Sequence, residues 1–337
     1  MAIDMECVGA VLEGRGLVAR GARLSVEPLS GGVSADVVLV RQDGEPLVVL
    51  KRARRRLAVD ADWQIDPART ANEARCLAYL ASILPAGSVP AVRFLDENRR
   101  LLAMDVIPLD GPIWKRQLLA GVVEPETARR VGALLGRVHA RSAADPATLA
   151  GFDHPDLLRD GRTDPFHRAA AAVNRDLARV IEREAERLEH ARVALVLGDV
   201  SPKNVVVFAD RVVFFDVEIA HWGDPAFDVA FCLTHLVLKA LVLERHRDSL
   251  ARSAMSLWES YRAGVPRWPD LERHVIAELG CLLLARVDGK SPVEYVEDDA
   301  TKQGVRRLAR TLLTVPGMAV GDVHGALLEA IGVREAA

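Results

Sequence analysis

Two stretches of the chain carry side chains whose types and spacing can do chemistry. In 195-LVLGDVSPKNVVVF-208 a short polar loop lies between two apolar runs and sets Asp199 five positions before Asn204. In 212-VVFFDVEIAHWGDPAFDVAF-231 a further apolar run delivers Asp216, then Glu218, then Gly-Asp-Pro and Asp228. A carboxylate and a carboxamide on separate loops can hold Mg²⁺ through hard oxygens and leave its other positions to phosphates and water. Asp216 and Asn204 suit that work. Moving a phosphoryl group asks for little covalent help: donor and acceptor must be held in line while cations neutralise the growing charge.

The elements that must position these residues follow from the periodicity. Residues 24–29, 37–40 and 47–50 read as three strands of a meander, with Gly31-Gly32 and Asp43-Gly44 as turns. From Pro67 the apolar spacing predicts a helix to about residue 82, and residues 92–95 and 101–107 return to strand. After 108-PLDGP-112, a hinge, the pattern is helical over 126–142, 166–191, 225–245, 247–263, 270–286, 300–313 and 321–331. Residues 193–215 are the exception, reading strand, loop, strand, turn, strand, and they contain the polar loop. The expected division is therefore 1–107 and 108–337.

Composition narrows the partners. The chain has 337 residues, half of them apolar, and a net charge of −3, so nothing points to nucleic acid or an acidic lipid surface. The basic run 51-KRARRR-56 directly follows a strand and reads as a solvated loop. The apolar stretch 226–243 is interrupted by Asp228, His235 and Lys239, which a buried helix tolerates better than a membrane span. The N-terminal residues lack a secretory pattern, so a cytoplasmic protein is expected. Cys7, Cys76, Cys232 and Cys281 are far apart and read as reduced structural thiols. Oligomeric state has no signature here.

Taken together, L-G-D-V-S-P-K-N and F-D-V-E-I-A-H-W-G-D-P-A-F-D-V-A resemble the aminoglycoside phosphotransferase and choline kinase family, whose signature is H-G-D-x-x-x-x-N and then a strand ending D-x-x or D-x-E. The resemblance covers roughly residues 25 to 245. It implies an α+β, two-lobed, protein-kinase-like fold: a small antiparallel-sheet N-lobe with one main helix, and a larger, mostly helical C-lobe. It also implies roles: Asp199 as the base that takes the acceptor hydroxyl proton, Asn204 and Asp216 as principal Mg²⁺ ligands, Glu218 as an accessory one. Asp228 would steady the loop through backbone hydrogen bonds. The D-x-E of Asp216 and Glu218 is similar to that of methylthioribose kinase. Leu197 stands where the family usually has histidine, a change expected to alter packing, and it keeps open a nucleotide-binding pseudokinase.

The same resemblance extends to the first unit. Residues 29-LSGGVSADVVLV-40 are similar to the family's L-S-G-G-x-S-N-x-V loop, so Ser30, Gly31, Gly32 and Ser34 would meet phosphate oxygens; Ala35 and Asp36 depart from it. Lys51 would reach the α- and β-phosphates, oriented by Glu73 on the following helix. Backbone groups of Asp105 and of Val106 or Ile107 would pair with the purine edge of ATP, or of GTP. The acceptor implied is a small hydroxylated molecule, an antibiotic by family, with a sugar of the methylthioribose type as the alternative. Residues 284–303 are the expected acceptor wall, offering Arg286, Lys290, Glu294, Glu297, Asp298 and Asp299. A polycationic aminoglycoside would want an acidic pocket there.

Overall fold

Asp43 and Gly44 both adopt positive φ, 52° and 92°, which is the backbone a tight two-residue hairpin needs. This turn joins the two longest strands of the first unit. The computed structural model describes Ile3 and residues 5–29, 33–59 and 61–332, with the backbone alone for residues 5–7. Ser30, Gly31, Gly32 and the Cys7 side chain thus lie outside the described residues. The chain forms two compact units, Met1–Gly111 and Pro112–Ala337.

In the first unit, strands β1 (Leu24–Pro28), β2 (Ala35–Gln42), β3 (Glu45–Ala53), β4 (Val92–Asp96) and β5 (Leu101–Met104) form an antiparallel sheet of order β1-β2-β3-β5-β4. Helix α1 (Met5–Gly14), which the periodicity did not signal, lays Val8, Val11 and Leu12 against Val38, Val40, Val48, Leu50, Leu101 and Ala103. Successive strand side chains face opposite ways, so Lys51 leaves the face that Leu50 occupies. It turns instead toward helix α2 (Arg69–Ile83), where Glu73 receives it. Strand β5 stops at Met104, short of the expected residue 107.

The second unit is mostly helical. It contains α3 (Trp114–Leu119), α4 (Pro125–Ala143), α5 (Pro146–Leu149), α6 (Pro155–Leu158), α7 (Ala169–Val173) and α8 (Ala178–His190). These are followed by α9 (Ala226–Val242), α10 (Arg247–Gly264), α11 (Leu271–Asp288), α12 (Asp299–Thr314) and α13 (Val323–Ala330). The single helix expected over 166–191 is interrupted. A π-helical stretch, Arg159–Arg168, runs into α7, and Asn174 ends that helix by donating its side-chain amide to the Ala170 carbonyl (3.0 Å) and the Asp288 carboxylate (2.9 Å).

Helix α9 is the centre of this unit, buried from Ala226 through Leu241. The unit also contains two short ladders. Strand β6 (Ala194–Val196) pairs with β9 (His221–Gly223), and β7 (Val205–Val207) pairs with β8 (Val212–Phe214). No helix among the described residues is long and apolar enough to cross a membrane. Cys76, Cys232 and Cys281 are buried free thiols.

Helices α4 and α10 approach backbone to backbone at Gly132, where an added Cβ would overlap the Leu257 carbonyl oxygen. Backbone cannot yield as a flexible side chain can, so the helices must part. Gly132→Ala should therefore cost about 1–3 kcal/mol, read as a lower denaturant midpoint with an unchanged m-value.

Candidate active site

The loop between β6 and β7 hangs from one carboxylate. Asp228, in the first turn of α9 and fully buried, accepts the Leu197 N–H at 2.6 Å on one oxygen and the Gly198 N–H at 2.8 Å on the other. His139 Nε2 lies 3.2 Å from the same carboxylate, and His139 Nδ1 is 2.9 Å from the Tyr261 hydroxyl, itself buried. Burial pushes that hydroxyl's pKa well above its ordinary value, so it is a neutral phenol. The expected role of Asp228 thus has a full hydrogen-bonding account. Leu197 contributes its N–H, a service any side chain permits, while its own side chain is buried.

Gly198 then turns the chain at φ +79°, and a Cβ there would stand 2.8 Å from the Ile219 carbonyl oxygen. Glycine is required on both counts. The turn presents Asp199, whose Oδ2 pairs with Arg162 at 3.2 Å and Lys203 at 3.0 Å, while Ser201 Oγ donates to Oδ1 at 3.2 Å. Asn204 closes the loop by donating Nδ2 to the Asp199 carbonyl at 3.1 Å. That bond assigns the amide nitrogen to the loop side and leaves Oδ1 as the group it can offer a cation.

The β7–β8 hairpin brings the expected cation ligands together. Val205 stands opposite Phe214, and the Phe215 N–H donates to the Asn204 carbonyl at 3.2 Å, so Asp216 emerges beside Asn204. Asp216 holds φ at +61°, a left-handed conformation that aspartate tolerates better than most residues. Asp216 and the buried Glu218 each bring a carboxylate oxygen within 4.8 Å of the other. Two carboxylates and a carboxamide form a hard, all-oxygen donor set, the chemistry that Mg²⁺ prefers, so the residues fit that ion.

In the first unit, Lys51 Nζ lies 2.9 Å and 2.7 Å from the two oxygens of Glu73, with both side chains buried. Ser34 is half-buried, and its carbonyl accepts from the Arg54 N–H at 2.8 Å and from Arg69 at 2.7 Å. Arg69, fully buried, also reaches the Ile65 and Arg54 carbonyls, tying helix α2 to the end of the β2–β3 ladder where Ser34 and Arg54 lie side by side. The Asp105 N–H is spent on the Ala91 carbonyl at 2.8 Å, and its side chain pairs with Arg93. Of its backbone groups, the carbonyl is the one it can present to a base.

Arg162 and Lys203 escaped the sequence reading, and so did Arg69. Lys203 sits inside the quoted loop, and its four-residue offset from Asp199 was the available signal. Arg162 had none: it comes from the π-helical stretch, donating to the Gly198 carbonyl at 2.6 Å and lying over Phe166 and Phe231.

Residues 25–263 match the profile of the phosphotransferase enzyme family. Among curated proteins, the methylthioribose kinase of Bacillus mycoides is 24% identical over 322 residues, covering 81% of each chain. That of Bacillus pumilus is 26% identical over 236 residues, covering 60% of this chain and 58% of the relative. Among solved structures, a choline/ethanolamine kinase family protein from Mesorhizobium loti superposes with TM-score 0.56 at 17% identity, over 96% of this chain and 98% of that one. Choline kinase from Cryptosporidium parvum gives 0.53 at 12%, over 97% and 94%. At such identities the two structures speak to the fold, which is protein-kinase-like.

His221 of β9 faces the ladder that supports the loop, with Nδ1 against the Ile219 carbonyl at 2.9 Å. Burial lowers its pKa to about 4. Below pH 6.5 the unfolded chain takes up this proton first, so the contribution of His221 to stability drains away as pH falls from 6.5 to about 4. Relative to His221→Gln, the native protein should lose about 3 kcal/mol across that window, measured by urea unfolding at a series of pH values. A difference that does not vary with pH would contradict a neutral buried imidazole.

Proposed function

This chain belongs to the phosphotransferase enzyme family, and from that premise we propose a Mg²⁺-dependent transfer of the γ-phosphoryl group of ATP to a hydroxyl of a small sugar-like acceptor. That it is a small-molecule kinase follows from the family; the acceptor, the metal and the residue roles are our reading. The observation that carries it is the arrangement around one loop: Asp199 set directly after the Gly198 turn, with Asn204, Asp216 and Glu218 gathered by the adjoining hairpin.

In this reading Asp199 receives the proton of the acceptor hydroxyl as its oxygen bonds to phosphorus and the bond to the departing ADP breaks. Arg162 and Lys203, both on Oδ2, hold the carboxylate in one orientation for that task. Asn204, Asp216 and Glu218 would hold Mg²⁺, which supplies charge neutralisation on the phosphate oxygens. Lys51, fixed by both oxygens of Glu73, is the phosphate-binding cation of the first unit, and Ser34 belongs to the loop expected to meet the same phosphates. The Asp105 carbonyl and the Val106 backbone would meet the purine edge.

Between an antibiotic and a sugar acceptor we favour the sugar. The curated relatives bear the name methylthioribose kinase, and Asp216-Val217-Glu218 supports the same choice. A nucleotide-binding pseudokinase has less support, because Leu197 serves the loop through its backbone.

Mass analysis of acceptor panels incubated with ATP and Mg²⁺ tests the reading. Asp199→Ala should lower kcat by about 10²–10⁴-fold, and Asp216→Asn should remove most metal-dependent turnover. Lys51→Ala should chiefly raise the KM for ATP. Full kcat and KM in all three variants would overturn the assignment of roles.

A further inference from the structure

We propose that the acceptor carries an oxyanion, a carboxylate or a phosphate, and that the Arg286 guanidinium receives it. The inference deepens the kinase reading and rests on it.

Arg286 lies in the last turn of α11, half-buried, with its guanidinium 5.5 Å from the centre of the Phe166 ring. Its side chain makes no hydrogen bond or ion pair with any described residue, and its Nε is sealed from solvent. Of the five guanidinium donors the sealed Nε–H is left unanswered, which carries a cost, and the terminal nitrogens remain open to a ligand. The same Phe166 ring lies 5.4 Å from the guanidinium of Arg162, which pairs with Asp199. Phe166 thus contacts both the Arg286 guanidinium and the guanidinium that pairs with the candidate base.

Basic groups cluster nearby, with Asp199 and Glu294 also acting on Arg286. Lys239 is fully buried in α9, with Nζ 3.2 Å from the Tyr295 hydroxyl, 3.3 Å from the His235 carbonyl and no carboxylate at ion-pair distance among the described residues. His235 Nδ1 meets the same hydroxyl at 3.2 Å, and its buried Nε2 has no hydrogen-bond partner among the described residues. Burial first and then Lys115 hold the Lys239 ammonium down at about 7. Burial also holds His235 well below its ordinary range, and the next four influences on it are cations: Lys239, Arg286, Lys203 and Lys115.

Three acids of this segment are engaged, while Glu297 and Asp299 stand exposed to solvent beside the start of α12. Glu294 pairs with Lys115, Asp298 caps α12 by accepting the Thr301 N–H, and Asp288 holds Arg306 and Asn174. A polycation brought here would meet like charge; an acid would meet Arg286 over an aromatic floor.

Isothermal titration tests this on the full chain saturated with ADP and Mg²⁺, using ribose, ribonate, ribose 5-phosphate and kanamycin as probes. At least one of the two acids should bind about tenfold or more tightly than ribose or kanamycin, and which acid does so separates carboxylate from phosphate. Arg286→Gln should weaken that acid about tenfold or more, and Arg286→Lys should recover part of the loss. Affinity for ADP and for a non-hydrolysable ATP analogue should be unchanged in both variants. Tighter binding of ribose or kanamycin, binding of neither acid, or acid affinity indifferent to Arg286→Gln would each overturn the inference. So would a variant weakened only toward the ATP analogue, since Arg286 would then serve the γ-phosphate. Failure of the native chain to bind ADP with Mg²⁺ would sink the kinase reading and this inference with it; normal ADP binding with the wrong acceptor preference would sink the inference alone.

Discussion

A single buried carboxylate, Asp228, accepts two consecutive backbone N–H groups and thereby decides where the candidate base points. The constraint works in both directions. Helix α9 is enclosed along its length, so Asp228 has no water to turn to, and an ionised carboxylate there without donors would be untenable. The loop amides of Leu197 and Gly198, likewise cut off from solvent, need acceptors just as badly. Each satisfies the other, with His139 as a third partner backed by Tyr261. The polar loop thereby gains a fixed conformation from a long helix buried from Ala226 through Leu241.

What could be read in the sequence was what lies close together along it. Asp199 and Asn204 share one loop, and Asp216 and Glu218 follow within one hairpin, so type and spacing reveal them before any folding is considered. The strands of the first unit were legible for a similar reason: β-branched runs bounded by Asp43-Gly44 describe a local pairing. Lys51 and Glu73 needed one further step, the alternation that sends Lys51 toward α2. Arg162, Arg69 and the unpaired state of Arg286 lay beyond such reasoning, because each depends on elements distant in sequence that meet through packing. Helix α1 was missed because its short apolar pattern shows a buried face only once the sheet is there to cover it.

Charge tells a parallel story. A net charge of −3 describes the chain as a whole and says nothing about any one place. The segment 284–303 carries both signs in sequence, yet in the fold three of its acids cap a helix, brace Arg306 or answer Lys115, and its arginine side chain is left over. Local potential is thus set by which charges the architecture has already consumed. Counting acids and bases in a segment misses this, since a capping carboxylate and a ligand-facing one are written with the same letter.

The π-helical stretch Arg159–Arg168 carries Arg162 to Asp199 with a turn wider than that of an α-helix. Its geometry depends on how many residues the segment holds as much as on which ones. Loss of one residue with the winding unchanged would swing the positions beyond it by one residue's step around the axis, about 100° in an α-helix and less in the wider turn. Phe166, the ring shared by Arg162 and Arg286, would turn away although its own identity was kept. Chain length in this short segment is therefore itself a determinant of the site, and relatives that differ there by one insertion or deletion can present different chemistry beneath the same motif.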